Sequence, residues 1–146
     1  MSKIVGIDIG GTKMLMYSNY NGKIVQEKVP TGTEATPQGL VDQIHEFISK
    51  LDFVPDDVGV CVPGLCENGT LFYASDRRNL EGISEEMIST SQYKAYIIND
   101  LRGAMFSQIP KYPKGSSICT IVIGTGIGMS VVMDGHFLHG ANGFVG

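Results

Sequence analysis

Ile4-Val5-Gly6-Ile7-Asp8-Ile9-Gly10-Gly11-Thr12-Lys13-Met14-Leu15-Met16 is the stretch from which the fold is read. Ile4, Val5, Ile7 and Ile9 form a short β-type run that ends in a carboxylate, two glycines, a hydroxyl and an amine, after which a second apolar run begins. Adjacent glycines between two strands permit positive φ and a close backbone approach to a ligand. A hairpin tip with bare N–H groups, a hydroxyl and a lysine suits phosphate oxygens. Asp8 at its foot suits Mg²⁺, directly or through water, because hard cations take carboxylate oxygen. The same residues also fit a tight β-turn with a solvated lysine.

Outward from that tip, Met14–Tyr20 continues as a strand, and Asn21-Gly22 is the pair favoured in a type I′ hairpin turn leading into Lys23–Val29, with Pro30 as the stop. Three antiparallel strands therefore precede any helix. Thr36-Pro37 opens a helix, the hydroxyl capping it and the proline sitting at its first position. Leu40, Ile44, Phe47, Ile48 and Leu51 fall on one face of it. His45, one residue round from that face, reads as a boundary residue.

Asp57–Val62 is a buried strand stopped by Pro63-Gly64. Asn68-Gly69 turns into a short strand at Leu71–Tyr73, and Asp76 to Leu80 is polar loop. Ser84 caps a short helix through about Ser89. Ala95–Ile98 is a strand ending at Asn99-Asp100, and Leu101–Ile109 a helix on which Met105 and Phe106 read as core. Ile118–Ile123 and Met129–Met133 flank a second glycine tip, Gly124-Thr125-Gly126-Ile127-Gly128. A strand follows that tip where a dinucleotide fingerprint would have a helix, and no Gly-Lys-Ser/Thr follows as in a P-loop. Strand–helix units between two glycine-tipped hairpins define an α/β class with a mixed sheet.

Bulk properties narrow the function. The 146 residues suffice for one domain with a real core. Hydrophobic content is 42%, charged content 18% and net charge −4, a balance unlike a nucleic-acid footprint. The densest basic group is the pair Arg77-Arg78. Cys61, Cys66 and Cys119 lack CxxC spacing and read as thiols of a reducing compartment. Met1-Ser2-Lys3 leads directly into a strand, and no apolar run reaches membrane-span length, so no signal peptide, no membrane and a cytoplasmic location are expected.

Asn99-Asp100, at the end of a buried strand and the start of a helix, lies where α/β sheets collect ligands. A carboxylate there could take a proton from a hydroxyl attacking a phosphate; it could equally cap the helix.

In order and spacing, Asp8-Ile9-Gly10-Gly11-Thr12-Lys13, Pro63-Gly64, Asn79-Leu80, Asn99-Asp100, Gly124–Gly128 and Gly140–Gly146 resemble the ROK (repressor, open reading frame, kinase) sugar kinases, glucokinase relatives among the actin-like ATPases. That resemblance implies an actin-like (ribonuclease H-like) amino-terminal lobe over residues 1–115 and the first β-hairpin of an incomplete second lobe over 116–146. It implies transfer of phosphate from ATP with Mg²⁺ to a hexose or amino-sugar hydroxyl, with the chain as given expected to be a truncated lobe that is weakly active or inactive. By analogy Asp100 is the general base. Gly10, Gly11, Thr12, Lys13, Gly124, Thr125 and Gly126 hold the phosphates from two sides, Asp8 serves Mg²⁺, and Asn79, Asn99 and Gly64 belong to the sugar side. A sugar-binding regulatory module without a DNA-binding domain is the alternative. The chain stops where the family places its sugar-binding Glu-Xaa-Gly-His segment, and the cysteine-rich structural zinc loop that follows in the family is absent. Leu101-Arg102 stand where the family carries small residues, Arg102 reading as a solvated helix residue or a phosphate contact. A second-lobe hairpin with unpaired edges predicts a homodimer through residues 118–133.

Overall fold

The computed structural model describes residues 2–123 and 127–140. Contacts divide the chain into two compact units, Met1–Ile98 and Asn99–Gly146. The boundary expected at residue 115 falls inside the second of these.

The first unit begins with β1 (Ile4–Ile9), β2 (Lys13–Tyr20) and β3 (Lys23–Pro30). The two-residue turn sets the β2–β3 register: Asn21 and Gly22 both hold positive φ, 52° and 77°, so Tyr20 pairs with Lys23 and Leu15 with Lys28. The same Asx-Gly signature recurs at Asn68-Gly69 and Asp134-Gly135. Helix α1 (Pro37–Ser49) starts as its sequence dictates, the Thr36 hydroxyl accepting the Gly39 N–H at 3.1 Å. The chain then returns through β4 (Asp57–Val62), which lies parallel to β1, with Asp8 opposite Cys61.

A two-stranded ribbon, β5 (Leu65–Glu67) and β6 (Thr70–Tyr73), leads to a 3₁₀ turn at Arg78–Leu80. The expected polar loop is thus partly core, since Leu80 is buried. After α2 (Glu85–Ile88), capped by Ser84 onto the Met87 N–H, comes β7 (Lys94–Asn99). The five-stranded sheet runs β3-β2-β1-β4-β7, mixed as expected.

Period-two alternation puts Val5, Ile7, Ile9, Met14, Met16, Val58, Val60, Val62, Ala95 and Ile97 on one face, packed with Leu40, Val41, Ile44, Phe47 and Ile48 of α1. Each of the larger side chains contributes about 1.5–3 kcal/mol by burial. On the other face of β1 lie Ile4, Gly6 and Asp8, beside Leu15 and Tyr17 of β2. His45 does bridge elements: its Nε2 lies 3.0 Å from the Ile88 carbonyl oxygen, tying α1 to α2.

The second unit contains α3 (Asp100–Gln108), a 3₁₀ turn (Ile109–Lys111), and a sheet ordered β10-β9-β8, formed by β8 (Ile118–Ile123), β9 (Ile127–Met133) and β10 (His136–Phe137). Met105 is fully buried and Thr120 Oγ1 lies 3.5 Å from its sulfur. Phe106, expected in the core, is exposed instead, its ring 4.9 Å from that of Phe137. Neighbours on a helix point about 100° apart, so burying one of the pair turns the other outward.

Candidate functional site

The tip between β1 and β2 is tighter than its sequence implies. Gly10 N–H donates to the Lys13 carbonyl at 2.9 Å, so that amide is spent closing the turn. Thr31 clamps the tip from the side: its N–H donates to the Thr12 carbonyl at 3.1 Å and its hydroxyl to the Gly10 carbonyl at 3.0 Å. The amides of Gly11 and Thr12 donate to no described residue, and Thr12 and Lys13 are exposed.

Positive φ, expected for the glycine pair, is not what either residue uses. The constraint is space. A Cβ on Gly10 would stand 3.0 Å from the Lys13 carbonyl oxygen, and one on Gly11 would stand 2.9 Å from Arg77 Nε. Arg77 therefore lies over the tip, although no motif singles it out; its only trace in the sequence is the basic pair Arg77-Arg78.

Asp8 sits one row below on the uncovered face of the sheet. Its carboxyl is accessible, yet desolvation by the surrounding protein raises its pKa above the ordinary 3.8. A group protonated more readily in the folded chain loses stability as pH climbs from the unfolded pKa through the raised folded one. Replacing Asp8 with Asn should accordingly raise the thermal midpoint near pH 7 and leave it unchanged near pH 3. Calorimetry across that range decides the matter: an equal offset at every pH would mean that ionisation of Asp8 has no part in it.

A desolvated carboxylate next to backbone amides that donate to no described residue fits a hydrated Mg²⁺ carried on phosphate oxygens. Among the described residues no three His, Cys, Asp or Glu side chains cluster as a self-sufficient metal site would need. The cation would take its remaining ligands from the phosphates and water.

The other expected residues each have a structural task. Asn79 Nδ2 donates to the Ala35 carbonyl at 2.9 Å, fastening the Arg78–Leu80 turn to the segment that enters α1. Because Arg77 precedes that turn and lies over Gly11, the structure brings the Asn79 loop and the glycine tip together. Gly64, φ 118°, makes the turn out of β4 with its Cα facing the Tyr73–Ala74 backbone.

In the second unit, Asn99 takes the capping role for α3, its Oδ1 accepting the N–H groups of Leu101 at 2.9 Å and Arg102 at 3.3 Å. Asp100 is the first helical residue, half-buried, its Oδ1 accepting the Leu101 N–H at 2.8 Å. A carboxylate here is favoured by the positive end of the helix dipole. Arg102 is more than a solvated helix residue: it lies over the Phe137 ring and 2.9 Å from His139 Nε2. Gly124, Thr125 and Gly126, the second expected phosphate tip, lie outside the described residues, as do residues 141–146 of the last motif.

A strand, a carboxylate and a two-glycine tip in a mixed sheet with flanking helices belong to an α/β fold of the actin-like type. The chain belongs to the ROK family, whose model matches residues 4–146. It is 26% identical to an N-acetylmannosamine kinase of Haemophilus influenzae over 99% of its own length and 50% of that kinase. It is likewise 26% identical to the xylose repressor of Bacillus subtilis, over 97% of the chain and 40% of the repressor. A ROK family glucokinase of Streptomyces griseus, solved with glucose and AMPPNP, shares the fold at 21% identity and a TM-score of 0.79 over 99% of this chain and 48% of that one. The chain thus spans about half the length of these relatives or less. No helix among the described residues is long and apolar enough to cross a membrane.

Proposed function

We propose that the chain serves ATP-dependent phosphorylation of a hexose or amino-sugar hydroxyl in the cytoplasm. The observation that carries the reading is the tip of β1: Asp8 with its raised pKa, the amides of Gly11 and Thr12, which donate to no described residue, and Lys13. MgATP supplies the phosphoryl group in this chemistry. Gly10 shapes the turn, Gly11 and Thr12 offer N–H groups to phosphate oxygens, and Lys13 neutralises their charge. Asp8 holds the hydrated cation. Gly124, Thr125 and Gly126 are assigned to the same phosphates on the motif alone. Asp100 takes the proton of the acceptor hydroxyl, while Asn79, Asn99 and the turn at Gly64 present the sugar. Positioning and charge neutralisation would account for most of the rate. ADP release over a panel of hexoses and amino sugars tests it, and a signal independent of every sugar would remove the acceptor assignment.

A regulatory sugar-binding module is the second reading, favoured by the equal identity to a repressor. Calorimetric sugar binding without ADP formation would select it.

We also propose a homodimer through the hairpin of β8 and β9. In its sheet β8 is a terminal strand, and Ile121, Ile123 and Ile127 are 60%, 77% and 78% exposed. An apolar strand edge templates pairing with a second copy. Light scattering should give a dimer that Ile123→Lys converts to monomer, whereas a wild-type monomer at all concentrations would exclude it.

A further inference from the structure

The glycine tip carries more positive charge than its motif explains. Lys13 opens β2, and Lys28 on β3 stands opposite Leu15, which puts both lysines on the uncovered face of the sheet with Asp8. Interaction with the Lys13 side chain and repulsion from its charge lower the pKa of Lys28. Arg77 adds a half-buried guanidinium against Gly11, close enough that any side chain there would strike it. Every described ion pair uses other residues, so neither lysine nor Arg77 has a carboxylate partner among the described residues. Like charges held near one another repel, and an anion among them relieves that repulsion. Arginine is the side chain suited to that ligand when it bears paired oxygens, because its planar fork matches phosphate in a bidentate way.

We infer that Arg77, Lys13 and Lys28 form a subsite for a linear chain of phosphates across the β1–β2 tip, with Arg77 as a phosphate-binding residue outside the family motif. The inference rests on the proposed kinase reading for the tip itself, and adds Arg77 and Lys28 to it. The chemistry is shared by two sources, the triphosphate of a nucleotide and inorganic polyphosphate. Glycine at position 11 leaves the guanidinium room to lie against the tip, where a Cβ would stand 2.9 Å from Arg77 Nε and push it aside.

The test is calorimetric titration of the full chain with ATP and, separately, with inorganic tripolyphosphate, at low and high salt. Arg77→Gln should weaken binding about tenfold to a hundredfold and lessen its salt dependence, as expected for loss of one charged hydrogen-bonding partner. Arg77→Lys should recover part of the loss, and the thermal midpoint should stay within a few degrees of wild type. Arg78→Gln, whose guanidinium lies over the Tyr73 ring, should change nothing. Equal affinities for the two probes identify the phosphate chain as the ligand, and preference for ATP identifies the nucleotide. Wild-type binding of either probe that Arg77→Gln leaves intact overturns the inference and spares the kinase reading. Failure of the wild type to bind both overturns the two together.

Discussion

Asp100→Asn is expected to lower sugar-dependent ADP release by about 10²–10⁴-fold, the range that general acid–base catalysis usually contributes. Asparagine keeps the shape of the side chain and an oxygen that can accept the Leu101 N–H, now held at 2.8 Å. It cannot take a proton from an attacking hydroxyl. The cap of α3 is kept, because Asn99 and not Asp100 supplies it through Leu101 and Arg102. Expected losses are a few tenths of a kcal/mol, from weaker interaction with the helix dipole. A thermal midpoint near wild type with lost turnover is therefore the diagnostic pair. Turnover indistinguishable between the two proteins would strip Asp100 of the base role, and collapse of the midpoint would mark it as structural.

The largest stability effect should come from Gly64→Ala. At φ 118° an L side chain is strained in any surroundings, and the surroundings here are closed. The added Cβ would overlap the Tyr73 carbonyl oxygen and stand 3.0 Å from the Ala74 Cα. Both are backbone atoms and cannot swing aside as the end of a lysine would. A cost on the order of 3 kcal/mol or more follows. For a unit of this size that lowers the midpoint by more than about 10 °C. Gly59→Ala is the matched control, also on the β4 side of the fold but with nothing within 4 Å of the added atom. It should be close to neutral. If both substitutions cost the same, the clash at Gly64 is not responsible, since chain entropy alone favours alanine at either position. The glycine ascribed to the sugar side therefore has a backbone reason to be glycine whatever ligand is bound.

Much of the first unit was legible because its signals are short-range. Asn21-Gly22 demands a type I′ turn, and that turn alone places Leu15 opposite Lys28. Thr36-Pro37 and the spacing of Leu40, Ile44, Phe47 and Ile48 specify α1 and its buried face. Motif order brought out the family, whose model matches residues 4–146, because each motif, Asp8 to Lys13 or Asn99-Asp100, is a short local pattern.

Other features depended on where distant segments come to rest. The parallel pairing of β1 with β4, the burial of Leu80 and the outward turn of Phe106 follow from which face found a partner. The side chain that lies against Gly11 comes from sixty-six residues away, at Arg77. The sequence by itself determined turns, caps, periodicities and kinship, since each depends on residues within a turn or two of one another. Tertiary structure alone decided which amides and cations the tip has left to offer, because steric exclusion and uncompensated charge exist only once remote parts of the chain share a volume.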